Sequence, residues 1–284
     1  MVNMDLAGAS REELLRYRSR IDELLAATQS PEGVVKVYGR VPESGYARNY
    51  GRCLKMLRDE CSRDARTLQP KMVINDAEVP IPLTIRESLL ARIEDFERLR
   101  NPDSSERTVK ERLKLFRKGF YGSNGILWEY GGDMLVPLEK REAIVPLRAK
   151  ISTVCRELLS LKQYSNGVYL KVPDFESFEG ELVDLTQGKW DQYLTEPEVP
   201  EHEGWRKLVG DDEEGIRVLK SYARVVYSNS PRGEATAMAF YKRSTIKTNE
   251  LRASWVYNLN LSSNANGNYN LNLNAAFLRV SQAP

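Results

Sequence analysis

Histidine is nearly absent from this chain: His202 stands alone among 284 residues. A catalytic triad would have to run through that one ring, and no site with several histidine ligands can be assembled. His202 lies in the run Glu201-His202-Glu203. Flanking carboxylates favour the charged ring, so the sequence reading is a surface histidine rather than a catalytic base. Cysteine is scarce as well. Cys53, Cys61 and Cys155 form no C-x-x-C pair and are odd in number, which fits reduced, buried thiols better than a disulfide framework or a zinc site. Long apolar runs are missing, and residues 1–11 lack a basic start followed by an apolar stretch. Neither a membrane span nor a signal peptide is therefore expected, and the expected location is cytoplasmic, or the virion if the protein is viral. Phosphate loops are missing too. Gly122, Gly125, Gly131 and Gly132 cluster, but neither G-x-x-x-x-G-K-[ST] nor a G-x-G-x-x-G between strand and helix occurs, and turn glycines account for them. No catalytic residue, metal site or cofactor is expected.

Charge of either sign is missing between Arg252 and Arg279. What fills that stretch is a period of two. Trp255, Tyr257, Leu259, Leu261, Tyr269, Leu271, Leu273, Ala275 and Phe277 occupy odd positions, whereas Asn258, Asn260, Asn268, Asn270, Asn272 and Asn274 occupy even ones; Val256 is the apolar residue out of phase. Such alternation reads as a β-hairpin with one apolar face and one face tiled with asparagine. A three-residue turn over 265–267, with Gly267 left-handed as a bulge, pairs Leu261 with Leu271 and Leu259 with Leu273. A two-residue turn would put the leucines of one strand on the Asn face of the other. Sheet edges are usually protected by Lys, Glu or Pro, so an uncharged hairpin implies a covered face or edge. An amide bonds across an interface without the desolvation cost of a charge, which makes these six asparagines the candidate oligomer interface. A solvated outer face and a ligand face such as a carbohydrate site are the other two readings.

The composition, 41% hydrophobic and 29% charged, is that of one large or two small globular domains. The net charge of +2 conceals segregation. Residues 1–173 balance at +6, residues 174–214 at −11, and residues 216–284 at +7. Opposite blocks in one chain point to charge-complementary contacts, within the fold or between copies, or to a solvated acidic connector.

The expected fold class is α+β: a mainly helical region over 1–173, an acidic connector over 174–214, and an antiparallel β-meander of about four strands over 215–284. Capping boxes at Ser10/Glu13 and Thr84/Glu87 open two helices, the second ending near Asn101-Pro102. A third helix carries Cys53, Leu54, Leu57 and Cys61 on one stripe. A small hairpin is expected near 126–138, and a helix from Pro146 to about Lys162. The four strands are read at 216–227, 235–243, 251–261 and 268–280, with a turn at 228–233.

A short basic helix over 106–119 is the candidate nucleic-acid contact. Arg107, Lys110, Arg112, Lys114, Arg117 and Lys118, followed by Phe120 and Tyr121, combine phosphate partners with rings that can stack on bases. The favoured reading is a non-enzymatic, self-assembling structural protein, a homo-oligomer of viral coat, nucleocapsid or matrix type, with RNA or DNA as a further partner. A soluble enzyme using a carboxylate or tyrosine site, and a monomeric adaptor binding through its C-terminal sheet, are the alternatives.

Overall fold

A computed structural model describes residues 34–41, 50–74, 76–100, 121–122, 125–126, 128–138, 141–146, 170–171, 181–184, 188–229, 238–241, 250–256, 263–266 and 275–283. In chain order the elements are β1 (Lys36–Val41), α1 (Tyr50–Arg63), β2 (Lys71–Ile74), β3 (Ala77–Pro80), α2 (Ile85–Arg100), β4 (Tyr121–Gly122), β5 (Gly125–Ile126), β6 (Trp128–Leu138), β7 (Arg141–Pro146), β8 (Leu170–Lys171), β9 (Glu181–Asp184) and β10 (Tyr193–Leu194). A 3-10 turn (Glu196–Glu201), α3 (Glu203–Val209), α4 (Glu213–Asn229), β11 (Met238–Tyr241), β12 (Glu250–Val256), β13 (Ser263–Asn266) and β14 (Ala275–Gln282) complete it. The protein is mixed α+β. Two compact units divide it, one of residues 1–37 with 282–284 and one of residues 38–281. In the first, the Ala283 N–H donates to the Val35 carbonyl at 2.7 Å. Everything below concerns the second.

Two of the expected helices, over 50–63 and 85–100, lie among the described residues, whereas those opened by Ser10/Glu13 and read over 106–119 lie outside them. On α1, Cys53, Leu54, Leu57 and Cys61 are buried, as expected for the stripe. Burial pushes the Cys53 thiol up to about 12 and raises that of Cys61, so both are inert, protonated core groups. The Thr84/Glu87 box is present in both directions: the Thr84 N–H donates to Glu87 Oε2 at 2.8 Å, and the Glu87 N–H donates to Thr84 Oγ1 at 3.3 Å. α2 ends at Arg100, one residue before Asn101-Pro102. Buried Gln69 ties the chain after α1 to the sheet. Its Nε2 donates to the Ile81 carbonyl at 2.8 Å and its Oε1 accepts the Val280 N–H at 3.1 Å.

Several expectations are corrected. The stretch 216–227, read as a strand, lies within α4; its buried residues Val218, Leu219, Tyr222, Ala223, Val225 and Val226 recur at three and four, and Asp212 Oδ1 accepts the Gly215 N–H at 2.6 Å at its start. Gly131 and Gly132 do not form a turn but lie inside β6, which pairs antiparallel with β7 from Leu138↔Arg141 to Asp133↔Pro146. Pro146 ends β7, and the remainder of the helix expected to run to about Lys162 lies outside the described residues. Among the described residues, region 1–173 contributes α1 and α2 and the strands β1 to β8. Within the acidic stretch, 188–214 is not a loop laid over a surface: Trp190, Val199 and Trp205 enter the core. Its Asp211 pairs with Arg206 and Lys207 at 2.7 and 2.6 Å. Asp212 pairs with Arg86 at 2.9 Å, and Glu214 also pairs with Arg86.

Nor are the C-terminal strands an antiparallel meander. The largest sheet among the described residues runs β1-β14-β6-β12-β13-β11-β10, with β7, β8 and β9 off that path. β14 is parallel to β6 and β13 parallel to β11. Strand β6 lies between β12 and β14, and the expected bulged turn over 265–267 meets the strand β13, ending at Asn266; the expected pairs Leu261 with Leu271 and Leu259 with Leu273 lie outside the described residues. Helices α2, α3 and α4 cover one face, packing Ile85, Leu89, Trp205, Leu219 and Tyr222 against Phe240, Val256 and Ala265. Val256, the apolar residue out of phase, is buried in the cluster with the helices.

Candidate contact surface

Five strands line up at one level of the large sheet. Ala276 of β14 pairs with Glu129 of β6, Glu129 with Val256 of β12, Val256 with Ala265 of β13, and Ala265 with Phe240 of β11. This transverse row matters because of what is attached to it. Segment 257–262 leaves β12 at Val256, on the row, and enters β13 at Ser263. Segment 267–274 leaves β13 at Asn266 and enters β14 at Ala275. All four attachment points therefore lie within two residues of the row. From β14 to β13 is three strand spacings, about 14 Å. Asn258, Asn260, Asn268, Asn270, Asn272 and Asn274 belong to those two segments and lie outside the described residues; Asn264 and Asn266 flank buried Ala265 at the alternating positions of β13.

The floor beneath the row is aromatic. Phe240 lies 5.2 Å from Trp190 at 86°, 6.2 Å from Trp205 at 90°, and 5.7 Å from His202 at 20°. Edge-on and offset contacts of this kind suit the ring quadrupoles. Gly204 is required here because a Cβ would come within 2.8 Å of Trp190 and 2.9 Å of Phe240. The Asp191 N–H donates to the Phe240 carbonyl at 3.0 Å, fixing the loop that carries Trp190 to β11.

His202 is not on the surface, contrary to expectation. It is 7% exposed, lies edge-on to Trp190 at 4.7 Å, and caps α3 by accepting the Trp205 N–H on Nδ1 at 3.4 Å. Burial pushes its pKa down to about 4, with the Lys189 backbone opposing. The flanking carboxylates lose because a charged imidazolium among aromatic rings loses its hydration. A ring held neutral with Nδ1 occupied is a structural cap. The signal missed in the sequence was the apolar stretch Trp205, Leu208 and Val209 immediately after it.

A second feature missed from sequence is Arg92, 3% exposed. Its Nη1 donates to Tyr222 Oη at 2.6 Å, its Nη2 lies 3.5 Å from the Val256 carbonyl, and its guanidinium carbon is 5.9 Å from the Tyr222 ring centroid. The signal was legible: Ile85, Ser88, Leu89, Arg92, Ile93 and Phe96 recur at three and four on the buried side of α2.

The nucleic-acid candidates Arg107, Lys110, Arg112, Lys114, Arg117, Lys118 and Phe120 lie outside the described residues. Tyr121 begins β4 and pairs with Ile126. Among the described residues no group of three or more His, Cys, Asp or Glu is placed to hold a metal ion, and no helix is long and apolar enough to cross a membrane.

No protein-family model matches the chain, and no curated protein matches it. Among solved structures, a chain described as "Accommodation of massive sequence variation in Nanoarchaeota by the C-type lectin fold" is similar over 89% of this chain and 100% of its own length, at 10% identity and a TM-score of 0.46. A likeness at that score carries no argument.

Proposed function

We propose that the protein is a non-enzymatic contact protein that assembles with copies of itself through its two Asn-rich segments. The observation that carries this reading is the attachment of both segments within two residues of one transverse row of the sheet. The two segments attach at opposite ends of the four-residue strand β13, so their attachment points stay close along the sheet, and loops carried on rigid elements are the usual support for a binding surface. An asparagine amide donates and accepts at once, so a surface tiled with it complements a copy of itself, as an isologous dimer requires. A coat, nucleocapsid or matrix role is a special case that adds a nucleic acid partner through the cations at 107–118.

The test is the solution mass by light scattering at low and high salt, with absorbance at 260 nm recorded on the same peak. Expected is a mass that is a multiple of 32.5 kDa, reduced to that of one chain in N270K/N272K, since each copy would bring two ammonium groups into the contact. A wild-type mass of 32.5 kDa at both salts sinks the reading, and so does an assembly that the double variant leaves intact. Nucleic acid on the peak that dissociates with salt identifies the coat or nucleocapsid case.

A further inference from the structure

We propose that Arg217, Lys220 and Arg224 on helix α4 form a docking face for the phosphate backbone of duplex nucleic acid, independently of the assembly reading. On a strand these three positions would divide between two faces. On α4 they stand at i, i+3 and i+7, within an arc of about 60° and along about 10 Å of helix. They point outward because Val218, Leu219, Tyr222, Val225 and Val226 hold the opposite side of the helix in the core. Lys220 and Arg224 are exposed, and Arg217 is partly buried. None of the three makes an ion pair among the described residues, and the buried Nε of Arg217 has no hydrogen-bond partner there. The carboxylates leading into the helix are engaged elsewhere: Asp211 with Arg206 and Lys207, Asp212 and Glu214 with Arg86. Exposed Glu196 and Glu201 belong to the 3-10 turn that packs on α4, which limits the positive face to the stripe itself.

The chemistry of the face selects its occupant. The large apolar side chains exposed among the described residues are Val35, Val37, Val73 and Tyr193, none of them on α4. A second copy of the chain would therefore gain only exposed ion pairs here, each worth about 0.2–1 kcal/mol. A membrane surface would need an apolar helix face to insert, and that of α4 is already committed to the core. Single strands are held largely by stacking on aromatic rings, which this face does not offer. A duplex backbone asks for cations alone, and each phosphate neutralised releases condensed counterions, so a short uniform stripe gains more from it than from separate carboxylates. Two of the three cations are guanidinium forks, whose paired N–H groups match phosphate oxygens. A phosphate at Arg217 would also supply the acceptor that its fork lacks within the fold. Contact through phosphates carries no sequence preference.

The test is fluorescence anisotropy of short, mixed-sequence DNA and RNA duplexes titrated with the full-length protein over a range of salt concentrations. Expected is binding to both duplexes that weakens linearly in log salt. In R217Q/K220Q/R224Q the slope on DNA becomes shallower by about 2.7, and in each single variant by about 0.9. At about 50 mM salt the triple variant binds at least about a hundredfold more weakly than wild type. R217K/R224K keeps the charge and therefore the slope. Glutamine is a good helix former and the replaced side chains are not core groups, so far-UV circular dichroism should match wild type; the single variants carry the same comparison if the triple one does not fold. A wild type that binds neither duplex overturns the assignment, as does a triple variant with the wild-type slope, which would put the contact elsewhere on the chain. Tighter binding to a single strand of the same sequence, or binding to phosphatidylserine vesicles in place of duplexes, also overturns it. So does a triple variant that loses assembly mass while keeping its affinity for duplexes, since the face would then meet a second copy.

Discussion

Replacing His202 by asparagine should remove most of the pH dependence of stability between neutrality and pH 5. The ring's pKa is pushed down to about 4 from its ordinary 6.5, first by burial. Between those values the unfolded chain binds a proton that the native chain does not. Stability is therefore full above pH 6.5 and is lost as pH falls toward 4. Across the whole window the loss is roughly 3 kcal/mol, and between pH 7 and pH 5 about 2 kcal/mol. Protonation would cost more than hydration alone, since the Nδ1 lone pair that accepts the Trp205 N–H at 3.4 Å would be gone. Asparagine is a good N-cap that does not titrate, so H202N keeps an acceptor for α3 and loses only the proton linkage and the ring contacts.

The assay is urea unfolding followed by tryptophan fluorescence at pH 7 and pH 5, at one protein concentration because assembly would make stability depend on it. Glu198 and Asp212, among the described residues, stay outside the window. Lys189 and the Thr195 N–H hold Glu198 down to about 2, and the Gly215 N–H, with Arg86, lowers Asp212; stability tied to both is present above pH 4.5 and lost below it. Wild type should lose about 2 kcal/mol over this interval and H202N less than about 0.5 kcal/mol. Equal losses in the two proteins would refute the claim that the native ring is neutral.

Two substitutions probe the scaffold. Thr84→Ala deletes the hydroxyl that accepts the Glu87 N–H and should cost about 1 kcal/mol, read as a lower urea midpoint with an unchanged slope; no change would mean that α2 does not depend on its box. Gly204→Ala places a methyl group within 2.8 Å of Trp190 and should cost about 1–3 kcal/mol with altered tryptophan emission, and wild-type stability and emission would show that the rings are not packed as described.

Elements defined by contacts close in sequence were the legible ones. Thr84 with Glu87, and the stripe Cys53, Leu54, Leu57 and Cys61, need only neighbours within two turns. α4 was misread because Val218, Val225 and Val226 suit a strand by side-chain shape, and that preference hid a spacing of three and four. His202 was misread because the carboxylates of Glu201 and Glu203 are visible in sequence while Trp190 and Phe240, which bury it, arrive from 12 and 38 residues away. Distance along the chain also hid the hairpin's failure. Nothing local to 255–277 says that β6, more than 100 residues earlier, lies between its two arms.

That insertion changes what the missing charge means. An uncharged hairpin at a sheet edge would have called for a cover, but β12 is flanked by β6 and β13, and β14 by β1 and β6. An interior strand needs no protective edge charge, because neighbours already satisfy its backbone, although β12 and β14 still carry Glu250, Arg252 and Arg279 outside their uncharged runs. Val256, Phe277, Leu278 and Val280 are buried accordingly, with adjacent Phe277 and Leu278 showing that both faces of β14 are covered. The lack of Lys and Glu at 253–256 and 275–278 is thus a property of the core and says nothing about assembly. The asparagines are different. They are concentrated in 257–262 and 267–274, outside the described residues. The amide repeated at every second position adds a sequence argument to the attachment of both segments at the row. Substituting Asn270 and Asn272, leaving the strands untouched, is for that reason the sharper test than any change to the sheet.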